Sequence, residues 1–338
     1  MITRDQLATL LDRLIEKNKV IAPVSDNRGV VRYTAIRTAG DVAWEFDRAK
    51  VPPKSHFLPQ TEELYRYDTT GGELRIEPVP AAGRAVVFGV HPCDLRAIAA
   101  LDPVFDGVFK DVYYLDKRER TVVVGLACKQ VLPGCFCRSY GIEPTDGEGA
   151  DLMLTEVGDR YYAEILTPKG EALVREFPEL FSDGGVEEGR RGKEALSREL
   201  AGQFQREVDL TGVKEKVDTM FEHPYWQEVA RKCIGCGICT YLCPTCHCFD
   251  IIENHSGHRG SRLRCWDSCM FTDFTLHTSS HNPRSTKKER VRNRFLHKLS
   301  YHNERYGLAG CVGCGRCVAE CPVNIDITKI IADIKEVD

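Results

Sequence analysis

Apolar residues near the N-terminus recur at the spacing of an amphipathic helix. Five of them would share one face of a helix over residues 5–16: Leu7, Leu10, Leu11, Leu14 and Ile15. Thr3 and Gln6 have the spacing of a capping box, in which each side chain accepts a hydrogen bond from the other residue's backbone N–H. The pattern therefore predicts a helix whose apolar face lies against a core.

Continuous apolar runs come next along the chain. Residues 85–90 (AVVFGV) and 121–126 (TVVVGL) are typical of strands that are buried on both faces. A helix is predicted near residues 94–101, another strand over residues 30–34, and a hairpin over residues 151–165 with its turn at Gly158 and Asp159. Strand, turn and helix in alternation predict a mixed α/β N-terminal domain over residues 1–190.

The second half of the chain has mainly helical patterning. Residues 183–193 are rich in glycine and charge and are the best candidate for a linker. Residues 191–225 are predicted to be a charged helical linker that leads into a domain of residues 226–338. Four isoleucines mark a closing amphipathic helix, with Asp326 as its cap: Ile327, Ile330, Ile331 and Ile334.

The composition is that of a globular protein. The 338 residues suffice for two domains with a core, and 42% of them are hydrophobic while 28% are charged. No apolar stretch is long enough to span a bilayer, and the N-terminus leads into a charged helix rather than a signal peptide, so no membrane insertion is expected. The net charge of −4 gives no reason to expect nucleic acid as a partner.

The cysteines indicate the chemistry. The chain contains two cysteine runs, residues 233–244 (CIGCGICTYLCP) and 311–322 (CVGCGRCVAECP). Both read C-x2-C-x2-C-x3-C-P, the spacing that holds a pair of [4Fe–4S] clusters. A pair of zinc ribbons is the alternative, although zinc leaves the third and fourth cysteines of each run without a role. The sixteen cysteines are expected to be reduced thiolates in the cytoplasm.

The spacing also assigns the ligands. Three cysteines at i, i+3 and i+6 can reach three corners of one cubane, while the cysteine before proline ligates the other cluster. Cluster one therefore takes Cys233, Cys236, Cys239 and Cys321, and cluster two takes Cys311, Cys314, Cys317 and Cys243. The glycines of the runs should let the backbone curl close to each cluster, and Pro244 and Pro322 should start helices that point away. The predicted fold class is thus an α/β N-terminal domain plus an α-helical dicluster ferredoxin domain.

Eight cysteines remain, in two groups of four. An insertion over residues 245–310 contains Cys246, Cys248, Cys265 and Cys269, and the last two would share one face of a helix. These four could hold a third cluster, could bind zinc together with His247, or could be buried without metal.

The other group lies in the N-terminal half and consists of Cys93, Cys128, Cys135 and Cys137. Cys93 and Cys128 each follow a predicted strand, at the edge where open α/β sheets place ligands. Their spacing matches no standard cluster motif. A further cluster, in which Asp94 could replace a weak thiol ligand, and a structural role both remain open.

A basic stretch spans residues 284–305. Eight cations stand there against Glu289 and Glu304: Arg284, Lys287, Lys288, Arg290, Arg292, Arg294, Lys298 and Arg305. A solvated helix face is the favoured interpretation; alternatively, the cations offset the negative charge of clusters and thiolates or dock an acidic partner. Seven of the ten histidines lie in residues 247–302 without a fixed metal spacing, and they are interpreted as packing or hydrogen-bonding residues.

Several common sites are missing from the sequence. It contains no G-x-G-x-x-G after a strand and no P-loop, so no nicotinamide or nucleotide site is predicted. No nucleophile-and-base set is evident either. The chain is expected to carry electrons without turning over a substrate.

At this point the sequence resembles a known family over nearly its whole length. The motifs that carry the resemblance are residues 57–67 (FLPQTEELYRY), 91–97 (HPCDLRA), 134–137 (GCFC), 233–250 (CIGCGICTYLCPTCHCFD), 264–271 (RCWDSCMF), 281–284 (HNPR), 290–298 (RVRNRFLHK) and 311–326 (CVGCGRCVAECPVNID). They are similar to the iron–sulfur β subunit of cytoplasmic sulfhydrogenase-type [NiFe] hydrogenases and to the A subunit of anaerobic sulfite reductase. The resemblance implies an electron-transfer subunit between a flavin/NAD(P)-binding partner and a catalytic partner.

The expected function is therefore an electron relay within an oxidoreductase complex of the hydrogenase or sulfite/sulfur reductase type. One alternative is a cluster-based redox sensor or scaffold without a relay role. Another is an N-terminal domain that is itself catalytic through Cys93 or Cys128.

Overall fold

The computed structural model describes residues 1–80 and 83–337 of the chain. Its helices are α1 (Arg4–Ile15), α2 (Lys54–Phe57), α3 (Pro92–Phe105), α4 (Val112–Arg120), α5 (Pro168–Glu176), α6 (Val186–Ala201), α7 (Val213–Thr219), α8 (Tyr225–Lys232), α9 (Ile238–Tyr241), α10 (Lys287–Leu296), α11 (His302–Tyr306), α12 (Arg316–Ala319) and α13 (Ile327–Glu336). Its strands are β1 (Ile2–Thr3), β2 (Lys19–Ser25), β3 (Val31–Ala35), β4 (Thr61–Asp68), β5 (Arg75–Pro78), β6 (Ala85–Val90), β7 (Thr121–Leu126), β8 (Leu152–Val157), β9 (Arg160–Ile165), β10 (Phe249–Ser256) and β11 (Arg259–Trp266).

A seven-stranded sheet organises the N-terminal half, with the strand order β1-β9-β8-β7-β6-β2-β3. Its four central strands, β2, β6, β7 and β8, run parallel, and the outer strands are antiparallel. Both apolar runs of the sequence lie at the centre of this sheet, because a strand covered on both faces needs apolar side chains throughout.

Helices cover the two faces of this sheet. On one face α1 buries four leucines against it, and its capping box between Thr3 and Gln6 is present as predicted. On the other face α3 packs Leu95, Ile98 and Leu101 against β6 and β7. The layers confirm the α/β architecture predicted for this half, including the hairpin β8–β9.

A second sheet joins the two halves of the chain. It has four antiparallel strands in the order β10-β11-β4-β5, so that the hairpin β10–β11 from residues 249–266 continues a sheet begun by residues 61–78. Buried Arg264 on β11 forms ion pairs with Glu62 of β4 and with Asp111, which caps α4. The second half is therefore not purely helical, contrary to the expectation from the sequence.

Helices pack the remainder of the second half. Trp226 of α8 stacks on Phe295 of α10 with ring centroids 6.2 Å apart, and the four isoleucines of α13 are buried against the same core. The closing helix begins after Asp326, whose side chain accepts a hydrogen bond from the Thr328 N–H, as predicted. Among the described residues, no helix is both long and apolar enough to cross a membrane.

Three local expectations are wrong. Neither Pro244 nor Pro322 starts a helix: each lies in a turn, and the next helix after Pro322 begins at Ile327. Cys265 is not on a helix with Cys269, because it pairs with Asp250 and Thr61 as part of β11. The segment predicted as a linker at residues 183–193 is helical from Val186 onward, since its glutamates and arginines support a helix despite the glycines.

Candidate iron–sulfur cluster sites

The thiols predicted for cluster one lie around a single cavity. The first cysteine run leaves α8 and passes through α9, and its residues Cys233, Cys236 and Cys239 line one cavity together with Cys321 from the second run. Cys317 of the second run and Arg294 also reach this cavity, and the rest of the lining is largely apolar, from Ile234, Met270, Val291, Phe295, Ile325 and Ile327. Thiols that converge in an apolar shell are the donor set of a [4Fe–4S] cubane.

Backbone N–H groups point at the sulfurs of this cavity. Gly235 donates to Cys233 Sγ at 3.4 Å, and Ile325 donates to Cys321 Sγ at 3.2 Å. Hydrogen bonds to ligand sulfurs stabilise the thiolate and help to set a cluster's reduction potential.

The thiols predicted for cluster two also lie within electrostatic range of one another. Burial raises the pKa of Cys311 to about 11, against a hydrogen bond donated by the Gly313 N–H, and the thiolate charge of Cys243 adds to the rise. Burial raises the pKa of Cys314 and of Cys317 as well, and the Cys243 charge contributes to both. The fourth ligand assigned from the first run therefore lies within electrostatic range of the three from the second.

The glycines of the second run allow a backbone contact that the sequence did not predict. Gly313 and Gly315 both have positive φ, at 61° and 73°. A Cβ on Gly313 would come within about 2.5 Å of the backbone at Phe136 and Cys137, and one on Gly315 would overlap the carbonyl oxygen of Gly134. These glycines let the loop of residues 134–137 press directly against the second cysteine run.

Part of the basic stretch is buried, so the solvated-face interpretation is wrong for those residues. Arg294 of α10 is 5% exposed, and Lys298 in the π-helical turn that follows is 3% exposed. Burial lowers the pKa of Arg294, but the thiolate charges of Cys239 and Cys317, one from each predicted ligand set, raise it by more. Arg294 thus places a positive charge between the two sites.

Other members of the basic stretch have different partners. Arg290 donates hydrogen bonds to the carbonyl oxygens of Arg284 and Ser285, and Arg292 donates one to the carbonyl oxygen of Phe221. These two guanidinium groups therefore link α10 to the backbone of neighbouring segments. Lys287 and Arg305 are exposed. The residues of the basic stretch therefore have separate local roles and do not form one surface.

Three of the four insertion thiols converge. The Cys246 thiol contacts that of Cys243, and the Cys248 thiol contacts that of Cys269, which lowers the pKa of Cys248 to about 6. Charge interactions also link Cys246 with Cys248 and Cys269. Cys265 lies on β11, apart from this group in the hydrogen-bonded sheet.

The four N-terminal cysteines, here called the junction thiols, meet where the two halves of the chain touch. Cys93 lies in the first turn of α3, Cys128 follows β7, and Cys135 and Cys137 belong to the loop that presses on the second run. Cys93 and Cys137 pack with Cys314, a predicted ligand of cluster two. The Cys135 thiol lies 3.8 Å from the Cys314 carbonyl oxygen.

Two comparisons with known proteins place the chain. Residues 232–325 match the model of a family described as a 4Fe-4S dicluster domain. The chain is 31% identical over 328 residues to sulfhydrogenase 2 subunit beta from Pyrococcus furiosus, an alignment that covers 96% of this chain and 95% of that protein. The chain belongs to the sulfhydrogenase beta-subunit family. No solved structure matches it.

This membership confirms the resemblance seen in the sequence and makes the chain an iron–sulfur electron-transfer protein of the hydrogenase type. In residues 1–80 and 83–337, no three His, Cys, Asp or Glu side chains are arranged to hold a single metal ion.

Sequence reasoning missed two arginines beside the proposed sites. Arg316, between two ligands of the second run, forms a bidentate ion pair with Asp94 at 2.7 Å, and both side chains are 1% exposed. Asp94 is therefore engaged by Arg316 and is not a spare ligand for the junction thiols. Arg48 donates to the Cys314 carbonyl and lies 3.7 Å from Cys135 Sγ. Of these two, only Arg316 carried a signal, as a charge inside a cysteine run.

Proposed function

We propose that this chain relays electrons one at a time between a flavin/NAD(P)-binding subunit and a catalytic subunit of the hydrogenase or sulfite/sulfur reductase type. The related protein is named as a subunit of a sulfhydrogenase, and the dicluster match covers both cysteine runs of the present chain. The sixteen cysteines, none of which is paired in a disulfide, favour the cytoplasm as its location.

Cluster one is proposed to use Cys233, Cys236, Cys239 and Cys321, and cluster two Cys311, Cys314, Cys317 and Cys243. The observation that carries this assignment is that Cys321, from the second run, lines the same cavity as the three cysteines of the first. Such an exchange of the fourth ligand is the arrangement of two-cluster ferredoxins.

We also propose a division of the chain into two domains and a linker. Residues 1–190 form the α/β domain, residues 191–225 the helical linker and residues 226–338 the dicluster domain with its insertion over residues 245–310. The insertion returns to the first domain through β10–β11, which pairs with β4. We infer that this shared sheet fixes the domains against each other.

The chain's own residues supply ligation, burial and charge. A bound [4Fe–4S] cluster supplies one-electron redox chemistry. Around it, the apolar lining of the cavity excludes water, the N–H groups of Gly235 and Ile325 hold thiolate charge, and Arg294 offsets negative charge at both sites. No proton needs to move at the thiolates once they are ligands.

Anaerobic purification of the tagged chain from its native host tests the relay. The chain should emerge in stoichiometric complex with a flavoprotein and a redox enzyme, and reduced flavin should pass electrons through it to that enzyme. Cys236→Ala, at an exposed ligand position, should remove iron and stop the transfer while the subunits stay associated. An isolated chain, or full transfer in Cys236→Ala, contradicts the relay.

A further inference from the structure

The junction thiols come from three separate segments that meet at one edge of the central sheet. Parallel neighbours β6 and β7 both end there, so Cys93 and Cys128 emerge side by side. The loop of residues 135–137 brings the other two thiols over the same edge, held by a hydrogen bond from the Phe136 N–H to the Gly313 carbonyl at 2.8 Å. This is the edge at which open α/β sheets bind ligands.

The four thiols lie within electrostatic range of one another and are not joined as disulfides. Cys93 and Cys137 belong to one buried cluster with Ala97, Ile142 and Val312, which gives the site an apolar shell.

Positive charge is placed beside them. A cubane with four thiolate ligands carries net negative charge, which is costly to bury without a compensating cation. Arg48 Nη1 lies 3.7 Å from Cys135 Sγ, so its guanidinium faces one of the four thiols directly. The site thus has four soft ligands, an apolar shell and a cation beside the ligands.

The site also adjoins a proposed cluster. Cys93 and Cys137 pack against Cys314, and Arg48 contacts both Cys135 and the Cys314 carbonyl oxygen. A group bound by the junction thiols would therefore be separated from cluster two by the Cys314 ligand itself and its immediate neighbours.

We propose that Cys93, Cys128, Cys135 and Cys137 bind a third [4Fe–4S] cluster, which carries the relay from cluster two into the α/β domain. The assignment of these four ligands rests only on the geometry of the junction thiols, whereas the role of the third cluster in electron transfer rests on the proposed function. In each step one electron leaves a reduced cluster and enters its oxidised neighbour, and no bond at a cysteine is made or broken. One of the two partner subunits supplies the electron and the other accepts it.

Iron and acid-labile sulfide, counted per chain under anaerobic conditions in the full complex, test this site. Cys128→Ala and Cys135→Ala change partly exposed positions and should each lose about four iron and four sulfide, while the signal of cluster one in electron paramagnetic resonance persists. Ile142→Ala removes packing from the same buried neighbourhood without removing a ligand, and it should keep all its iron.

Other outcomes overturn the proposal. Unchanged iron in both cysteine variants would make the junction thiols structural, and a loss of zinc in place of iron would make the site mononuclear. If neither variant folds, about eight iron atoms in the unaltered chain would leave none for a third cluster. Cys236→Ala distinguishes the relay hypothesis from the third-cluster hypothesis. If this variant loses iron while the junction variants do not, the relay is supported and the third cluster is contradicted.

Discussion

Arg294 links the two proposed clusters electrostatically. Its guanidinium is buried on α10, lines the cluster-one cavity and interacts with thiolates of both ligand sets. Because reduction adds a negative charge to a site that is already anionic, a nearby cation favours the reduced state.

We therefore expect Arg294→Gln to lower the reduction potential of at least one cluster. Removing about 1.4 kcal/mol of charge interaction corresponds to roughly 59 mV for one electron, so a fall on the order of 50 mV is expected. Redox titration followed by electron paramagnetic resonance measures it. Arg305→Gln, at an exposed position on α11, should shift neither potential; equal potentials in the Arg294 variant and the parent would remove this role.

His56 makes stability depend on pH. Its ring nitrogen lies 3.0 Å from Thr121 Oγ1, and burial, with the charges of Lys19 and Lys117, lowers its pKa to about 4. Between pH 4 and about 6.5 the unfolded chain binds a proton that the folded chain does not, so the stability present above pH 6.5 is lost as the pH falls toward 4.

His56→Gln should reduce this acid sensitivity. The difference in unfolding free energy between pH 7.5 and pH 5.5 should shrink by about 1 kcal/mol, which thermal unfolding of the anaerobic protein at both values can resolve. His255→Gln, exposed on β10, serves as the control and should leave the difference unchanged. An identical pH response in His56→Gln and the parent would mean that His56 is protonated equally in both states.

At the scale of elements, the sequence predicted what local pattern determines. The apolar runs became β6 and β7 at the predicted residues, and Thr3 capped α1 through Gln6. The hairpin β10–β11 escaped prediction because its partner β4 lies about 200 residues earlier in the chain. Pairing between segments that far apart leaves no periodicity in the local sequence. Apolar residues of the hairpin such as Ile251 are exposed, so they do not mark a buried strand.

The hairpin depends on one buried cation. Arg264→Met leaves Asp111 without its guanidinium partner, while Glu62 keeps Lys117. Loss of one partner from a buried pair should cost about 3 kcal/mol in unfolding free energy. Arg262→Met on the same strand breaks an exposed pair with Glu253 and should cost less than about 1 kcal/mol. Equal unfolding temperatures for the two variants would contradict the difference in burial.

At the scale of the whole molecule, the cysteine spacings yield ligand sets that stay a prediction, and they give no sign of how the halves meet. The cavity around Cys321 agrees with the exchange of fourth ligands that the spacing implied. The junction could not be predicted, because Gly134 and Gly315 meet through backbone contact and the Asp94–Arg316 pair joins two motifs 222 residues apart. Buried charge pairs of this kind follow from the tertiary fold and not from any local pattern.

The Asp94–Arg316 pair should hold that junction. Arg316→Met strands a buried carboxylate and should destabilise the protein by about 3–5 kcal/mol, whereas adding Asp94→Leu should recover part of the loss. Thermal unfolding of both single variants and the double variant forms the cycle, with a favourable coupling expected from direct contact. Additive losses would show that the pair does not act as a unit.

The proposed exchange of Cys243 and Cys321 also constrains how the protein is made. The first cysteine run emerges from the ribosome well before the second, yet its cavity lacks a thiol until Cys321 follows. The same delay applies to the first domain, whose loop at residues 134–137 rests on glycines translated almost 180 residues later. Iron delivered to the nascent chain would meet incomplete sites, so cofactor insertion belongs after synthesis, and the half-made protein has to be shielded from premature metal and oxygen until then.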